Sequence, residues 1–270
     1  MNQNVKFKQE CQENVVKQRD DFSLKSSTIK WVNQSFSHKY CYNFEHLGRP
    51  IIQYPQDMVE MQELIWSIKP DLIIETGIAH GGSLILSASM LAQLDICDAI
   101  EAGETIDPNV SKRKVLGLDI DIREHNRKAI ESHPMSSRIQ MIQGSSIAPE
   151  VINKVKAIAH DYKTILVCLD SNHTHEHVLK ELEAYAPLVT PGSYCVVWDS
   201  GIEDLPSEKV FDRPWGKGNN PKTALQQYLK SLQDDDVVAK DGNSLKFEVD
   251  KILEYKLAVS ASSDGFLRRV

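Results

Sequence analysis

In DLIIETGIAHGGSLILSASML (71–91) a carboxylate meets glycine at Glu75-Thr76-Gly77, and a second glycine cluster with a hydroxyl follows at Gly81-Gly82-Ser83. Comparable clusters end four other apolar runs: Asp119 with Asp121, Gly144-Ser145-Ser146, Asp170-Ser171-Asn172-His173, and Asp199-Ser200. Ionised carboxylates accept from hydroxyl and ammonium donors, and glycine lets a ligand come close to the backbone. The spacing Gly77-x-x-x-Gly81-Gly82 departs from the GxGxxG of dinucleotide sites, and no GxxxxGK[ST] phosphate loop occurs. A nucleoside without a pyrophosphate fits instead. Asp119 is placed to accept both ribose hydroxyls, and Ser145 and Ser146 to meet an adenine edge. Gly77, Gly81, Gly82 and Ser83 give the close approach, and Glu75 meets a cationic group. A plainer alternative makes Gly81-Gly82 a tight turn and Asp119 a helix cap or a solvated acid. Glu75 resists it, because it follows Leu-Ile-Ile in a buried run where an unpaired charge is costly.

The elements that must position these residues alternate along the chain. Strands are expected at 72–76, 114–121, 138–146, 163–171 and 192–200, with helices at 58–68, 125–133, 149–160 and 174–189. Pro50 and Pro55 punctuate a loop before the first helix, which Asp57 could cap. The strand runs are continuously apolar, as parallel strands covered on both faces are. Repeated β-α alternation predicts an α/β fold, a mostly parallel, doubly wound, Rossmann-like sheet with helices on both faces. Ligands of such sheets bind outside the carboxyl ends of the strands, where all five polar clusters fall. A loop from 211 leads to a helix from Pro221, and two last strands, joined by a connection with Ser and Asp-Gly turns, close the sheet with a reversed edge. Residues 1–44 read as a polar, helical or mobile arm that permits a homo-oligomer, and 45–270 as the ligand-binding domain.

A net charge of −7 argues against a nucleic-acid partner. The five cysteines lie far apart without a CxxC, which fits a reducing cytoplasm. The first thirty residues lack a signal-peptide core, and no apolar run is expected to be long enough to cross a bilayer.

The segments DLIIETGIAHGGS, VLGLDIDIREHNRKAIESHPM, IQMIQGSS, LDSNHTHEHVLKELEAYAPLVTPGSYCVVWDS and RPWGKGNNPKTA resemble the cephalosporin hydroxylase family. That family has the class I S-adenosylmethionine-dependent methyltransferase fold, and its relatives include rhamnosyl and macrolide-sugar O-methyltransferases. The resemblance spans roughly residues 45–270. It implies S-adenosylmethionine as cofactor, often with Mg²⁺, and a small-molecule or glycan acceptor methylated on a sugar hydroxyl.

Within that resemblance, Asp170 and Asp199 end neighbouring strands and suit a hard cation such as Mg²⁺. Asp170 also borders the cofactor and counts among the catalytic residues. The family pattern often carries a second acid directly before the position of Asp199, where this chain has Trp198; Glu203 or Asp204 would then take its place. His173 is the expected general base, as the matching histidine is in the macrolide-sugar enzymes. The run DSNHTHEH also invites a zinc reading, although no HExxH is present. Trp215 and Asn219-Asn220 are expected to line the acceptor pocket. Two other functions remain open: a non-haem iron hydroxylase built on Asp170, His173 and His177, and an inactive S-adenosylmethionine-binding subunit.

Overall fold

The computed structural model describes residues 2–205, 213–234 and 236–270. The arm is helical, with α1 (Gln3–Asp20) and α2 (Phe22–Ser37) followed by a 3-10 turn, Tyr40–Asn43. Asn2 and Asp21 cap the two helices through their side chains. Although α1 buries none of its residues, Gln18 near its end donates to the carbonyls of Tyr255 and Lys256. The arm is thereby tied to the far end of the chain.

A hairpin, β1 (Phe44–His46) and β2 (Arg49–Ile51), comes next. The sequence offered only a proline-punctuated loop there. Helix α3 (Pro55–Ile68) starts at Pro55, not at Met58, because proline is preorganised for the first helical position. Asp57 is therefore not the cap; it sits in the first turn, buried, and accepts from the Ala261 amide at 2.9 Å. Burial pushes its carboxyl up to about 7.

The alternation then runs as expected through β3 (Leu72–Thr76), α4 (Gly82–Ala102), β4 (Lys114–Asp119), α5 (Glu124–Glu131), β5 (Ile139–Gln143) and α6 (Pro149–Ala159). It continues through β6 (Ile165–Leu169), α7 (His175–Tyr185), β7 (Tyr194–Val197), α8 (Pro221–Asp234), β8 (Phe247–Val249), α9 (Lys251–Lys256) and β9 (Phe266–Arg269). Helix α9 lies in a connection read from sequence as turns alone; Asp250 caps it.

The seven-stranded sheet has the order β5-β4-β3-β6-β7-β9-β8. Strands β3 to β7 are parallel, and β9 runs antiparallel between β7 and β8, giving the expected reversed edge. The winding reverses between β3 and β6, which sets a topological switch point beside Gly77 and Asp170. Two apolar layers cover the sheet. Ile73, Val115, Leu166 and Val196 pack toward α3 and α4, and Leu72, Ile74, Val167 and Cys195 toward α6, α7 and α8.

Helix α4 corrects one expectation. It is long and apolar enough by composition to cross a membrane, yet half of that stretch is buried in the fold, as a core helix is. It also explains the hairpin's position. A β-carbon on Gly82 would lie 2.3 Å from the Pro50 carbonyl oxygen, so only glycine lets β2 lie across the start of α4.

Candidate active site

The carboxyl ends of β3, β6 and β7 open into a cavity of about 650 Å³, a size that holds a cofactor and a small acceptor. Gly77, Gly81, Gly82 and Ser83 line it, as do Asp170, His173 and Asp199. A β-carbon on Gly77 would stand 2.0 Å from the Asp170 carbonyl oxygen, and its φ of +89° is in the left-handed region. Glycine there lets the ends of β3 and β6 meet.

Glu75, Asp119, Ser145 and Ser146 were predicted to join these residues but are not among those lining the cavity. Asp119 lies behind the loop 77–81. Its Oδ2 accepts from the amides of Ile78 (2.8 Å) and Ala79 (3.3 Å), and its Oδ1 from the amide of Asp121 (3.0 Å). Ser146 is buried, and its hydroxyl lies 3.0 Å from His177 Nε2. Glu75 is buried under α4, where Ser83 Oγ donates to it. Burial pushes the Glu75 carboxyl up to about 7, and the Ser83 bond only partly offsets this.

Glu75 yields a stability prediction. The unfolded chain ionises this acid near its ordinary value, while the folded chain holds the proton to about 7. Folding stability is therefore expected to fall between pH 4.5 and 7, by up to ~3 kcal/mol from this group. Glu75→Gln keeps an acceptor for Ser83 and should raise the ligand-free melting temperature at pH 8 while changing it little at pH 4.5. Equal shifts at both pH values would contradict this.

The loop 77–81 has a clamp that sequence reading missed. Arg49 donates to the His80 carbonyl through Nε (3.0 Å) and Nη2 (2.5 Å), and to Asn126 Oδ1 at 3.1 Å. Asn126 in turn donates to the Ala79 carbonyl at 2.9 Å. Only its position in HNRKAIESH could have hinted at this, since the contacts cross the hairpin and α5.

Across the cavity, Asp170, His173 and Asp199 offer one ligand atom each within 4.8 Å of one another. His173 Nε2 is 3.2 Å from Asp199 Oδ2. A neutral ring donating from Nε2 to Asp199 keeps its lone pair on Nδ1. Trp215 meets the His173 ring edge-on at 4.8 Å between centroids, which limits its rotation. Asp199 itself is held at φ 56°, an uncommon backbone setting for a non-glycine residue. The Asp170 carboxyl is raised well above its usual range, by burial first and then by the charges of Asp199, Glu75, Glu181 and Asp57. Among the described residues no lysine or arginine pairs with Asp170 or Asp199. An oxygen-rich corner with excess negative charge fits a hard divalent cation.

The three histidines of DSNHTHEH part company. His173 precedes α7 and faces Asp199; it does not begin the helix. His175 bonds Thr223 (2.8 Å) and Gln227 (3.0 Å), while His177 faces Ser146, Ser171 and Glu181. That separation removes the zinc cluster and leaves the iron triad of Asp170, His173 and His177 unformed. Trp198 turns into the core against Phe266, 6.1 Å between centroids. Neither Glu203 nor Asp204 replaces the missing acid. Glu203 accepts from Gly218 and Asn220, and Asp204 pairs with Lys222 at 2.9 Å. Trp215 lines the cavity as expected, but Asn219 and Asn220 do not. They brace the loop, Asn219 accepting from the His175 amide and Asn220 donating to Glu203 and the Gly216 carbonyl. The start of that loop, 211–212, lies outside the described residues.

Residues 38–270 match the family model described as rhamnosyl O-methyltransferase/CmcI. The chain belongs to that family. Curated relatives include a rhamnosyl O-methyltransferase of Mycobacterium leprae, 27% identical over 93% of this chain and 98% of that one. Another, from Mycobacterium bovis, is 27% identical over 79% of this chain and 73% of that one. A solved CmcI structure with Mg and SAM is 16% identical, covers 85% of this chain and 77% of the other, and superposes with a TM-score of 0.49. Within the family's span, the arm also reaches the site. Lys39, Tyr40, Cys41 and Tyr42 form one wall of the cavity. Burial and the nearby acids Asp199 and Asp170 push the Cys41 thiol up to about 11, so it stays protonated and is no nucleophile.

Proposed function

We propose that this O-methyltransferase moves the methyl group of S-adenosylmethionine to a hydroxyl of a sugar acceptor, with Mg²⁺ held by Asp170 and Asp199. The observation that carries the reading is the corner where His173 stands against Asp199 beside Asp170, across one cavity from the Gly77–Ser83 loop.

In this reading the cofactor lies along the loop at the switch point, with Gly77, Gly81, Gly82 and Ser83 close to it. Asp119 serves the ribose through the acceptor capacity left on Oδ1. Ser83 shapes the floor above the buried Glu75, and Ser145 and the backbone at Ser146 flank the adenine from beyond the cavity wall, the Ser146 hydroxyl being turned to His177. The acceptor hydroxyl lies between the sulfonium methyl and His173. His173 takes the hydroxyl proton as the oxygen–carbon bond forms and the carbon–sulfur bond breaks, leaving S-adenosylhomocysteine. Asp199 holds the imidazole and stabilises it once protonated. A bound Mg²⁺ would supply Lewis-acid polarisation of the acceptor oxygen. Trp215 gives the sugar an apolar face and excludes water. The five cysteines are all unpaired, in keeping with a cytoplasmic enzyme.

Asp119→Ala tests the cofactor placement. Loss of a charge-assisted acceptor should weaken S-adenosylmethionine binding about tenfold or more. Calorimetry on the folded variant that gives the wild-type affinity would move the ribose elsewhere. The reaction itself is tested with labelled S-adenosylmethionine and rhamnosides, with Mg²⁺ or EDTA, and in parallel with iron and 2-oxoglutarate. Label on the sugar in the Mg²⁺ arm supports the reading. Hydroxylated product in the iron arm alone would overturn it.

A further inference from the structure

The mouth of the cavity carries two cations that the reaction as described does not use. Arg213 and Lys39 line it from opposite elements, the loop before α8 and the end of α2. Both are exposed, and neither has a hydrogen-bond or ion-pair acceptor among the described residues. Instead each rests on an aromatic ring. The Arg213 guanidinium carbon is 5.5 Å from the Trp215 ring centre, and Lys39 Nζ is 5.9 Å from the Tyr42 ring centre. Arg213 also stands close enough to Tyr42 for its charge to act on that phenol.

Side-chain contacts run from Asp199 to His173, from His173 to Trp215 and from Trp215 to Arg213, and on the facing wall Tyr42 carries Lys39. One end is the acid corner, where a hydroxyl reacts. The other is a cationic rim with its donors unspent. An arginine stacked on an aromatic face is preorganised, yet keeps its N–H fork free for an oxyanion. Lys39 projects into the same cavity from a left-handed backbone, φ 48°, where α2 gives way to the 3-10 segment.

We propose that the acceptor sugar carries a phosphate, and that Arg213 and Lys39 bind that phosphate while Trp215 supports the ring. The site thus selects a sugar phosphate or sugar nucleotide over a neutral glycoside. This rests on the sugar-acceptor reading above. The cofactor's own carboxylate is the competing anion. Placing it at the rim would leave the cofactor's attachment to the Gly77–Ser83 loop to its other end alone.

The test is calorimetry on the full chain saturated with S-adenosylhomocysteine, with EDTA present so that no metal takes up the phosphate. The probes are L-rhamnose 1-phosphate, thymidine diphosphate-L-rhamnose and methyl α-L-rhamnoside. The two phosphorylated probes are expected to bind at least tenfold more tightly than the neutral one, and the K39Q/R213Q variant should erase that difference. Tighter binding of the nucleotide sugar than of the 1-phosphate would identify a nucleotide-linked acceptor; equal binding would identify phosphate alone. S-adenosylhomocysteine affinity should be the same in variant and wild type. Equal affinity of the wild type for neutral and phosphorylated probes overturns the proposal, and so does a variant that loses S-adenosylhomocysteine affinity instead. Because binding is read without turnover, a failed methylation assay leaves this result interpretable. Methylation of neutral rhamnoside with no gain from phosphate would sink the rim and spare the reaction.

Discussion

Asp199→Asn is expected to cut methyl transfer by roughly 10²–10³-fold or more, because one carboxylate serves two partners. Its Oδ2 faces His173 Nε2 at 3.2 Å, and its second oxygen remains for the cation. An amide in its place offers the imidazole either a carbonyl oxygen or an NH₂ group, so the tautomer is no longer fixed. The cation loses a full negative charge. Asp170→Asn should reach a similar loss through the cation alone. Asp170 is crowded by like charges in the metal-free protein, so the asparagine variant should be at least as stable when no metal is present. The two effects separate in a Mg²⁺ titration. Wild-type activity should rise and saturate, and the variants should respond weakly. Cofactor affinity by calorimetry should stay within a few-fold of wild type. Full activity in either variant, with an unchanged Mg²⁺ response, would remove these aspartates from the centre.

His173→Ala is the second large effect, a loss of ~10²–10⁴ in kcat with cofactor affinity nearly unchanged. A general base acts as the hydroxyl proton leaves, so its absence is felt in the transition state and not in the binary complex. The loss should shrink as pH rises, because hydroxide then takes the proton that the imidazole took. His173→Gln separates the base from a wall. It restores the volume beside Trp215 but accepts no proton, so its kcat should match that of alanine. A glutamine variant near wild-type rate, or an alanine variant that binds cofactor poorly yet turns over normally at saturation, would make His173 a packing residue.

The sheet and its reactive edge were legible because they depend on local pattern. Continuous apolar runs located β3 to β7, and the rule that ligands gather at carboxyl ends brought Gly77, Asp170 and Asp199 together before any coordinate. Strand order placed Asp170 beside Asp199, since β6 and β7 pair directly. What stayed hidden depends on contacts between distant segments. Arg49 braces the loop 77–81 from a hairpin whose strands are three residues each, too short to show a period. Asp57 looked like a cap because aspartate favours that position, but its partner is an amide 204 residues away. Trp198 and the pair Glu203 and Asp204 illustrate the same limit. Sequence placed all three near the metal corner, while packing against Phe266 and bonds to Gly218, Asn220 and Lys222 draw them elsewhere. The arm was the least legible part. Its first thirty residues are mostly polar and charged with little sustained periodicity, and nothing local to Lys39 to Tyr42 marks them as a cavity wall.

The destination of the methyl group is the most direct test. The purified protein, treated with EDTA and resupplied with Mg²⁺, is incubated with [methyl-¹³C]S-adenosylmethionine and the rhamnose acceptors, and the product is read by carbon NMR. An O-methyl resonance on a sugar carbon that appears with Mg²⁺, fades with EDTA and is lost in Asp199→Asn is the predicted result. A ¹³C-methyl group on nitrogen, carbon or sulfur, or an O-methyl product formed equally well in EDTA and by Asp199→Asn, would contradict it.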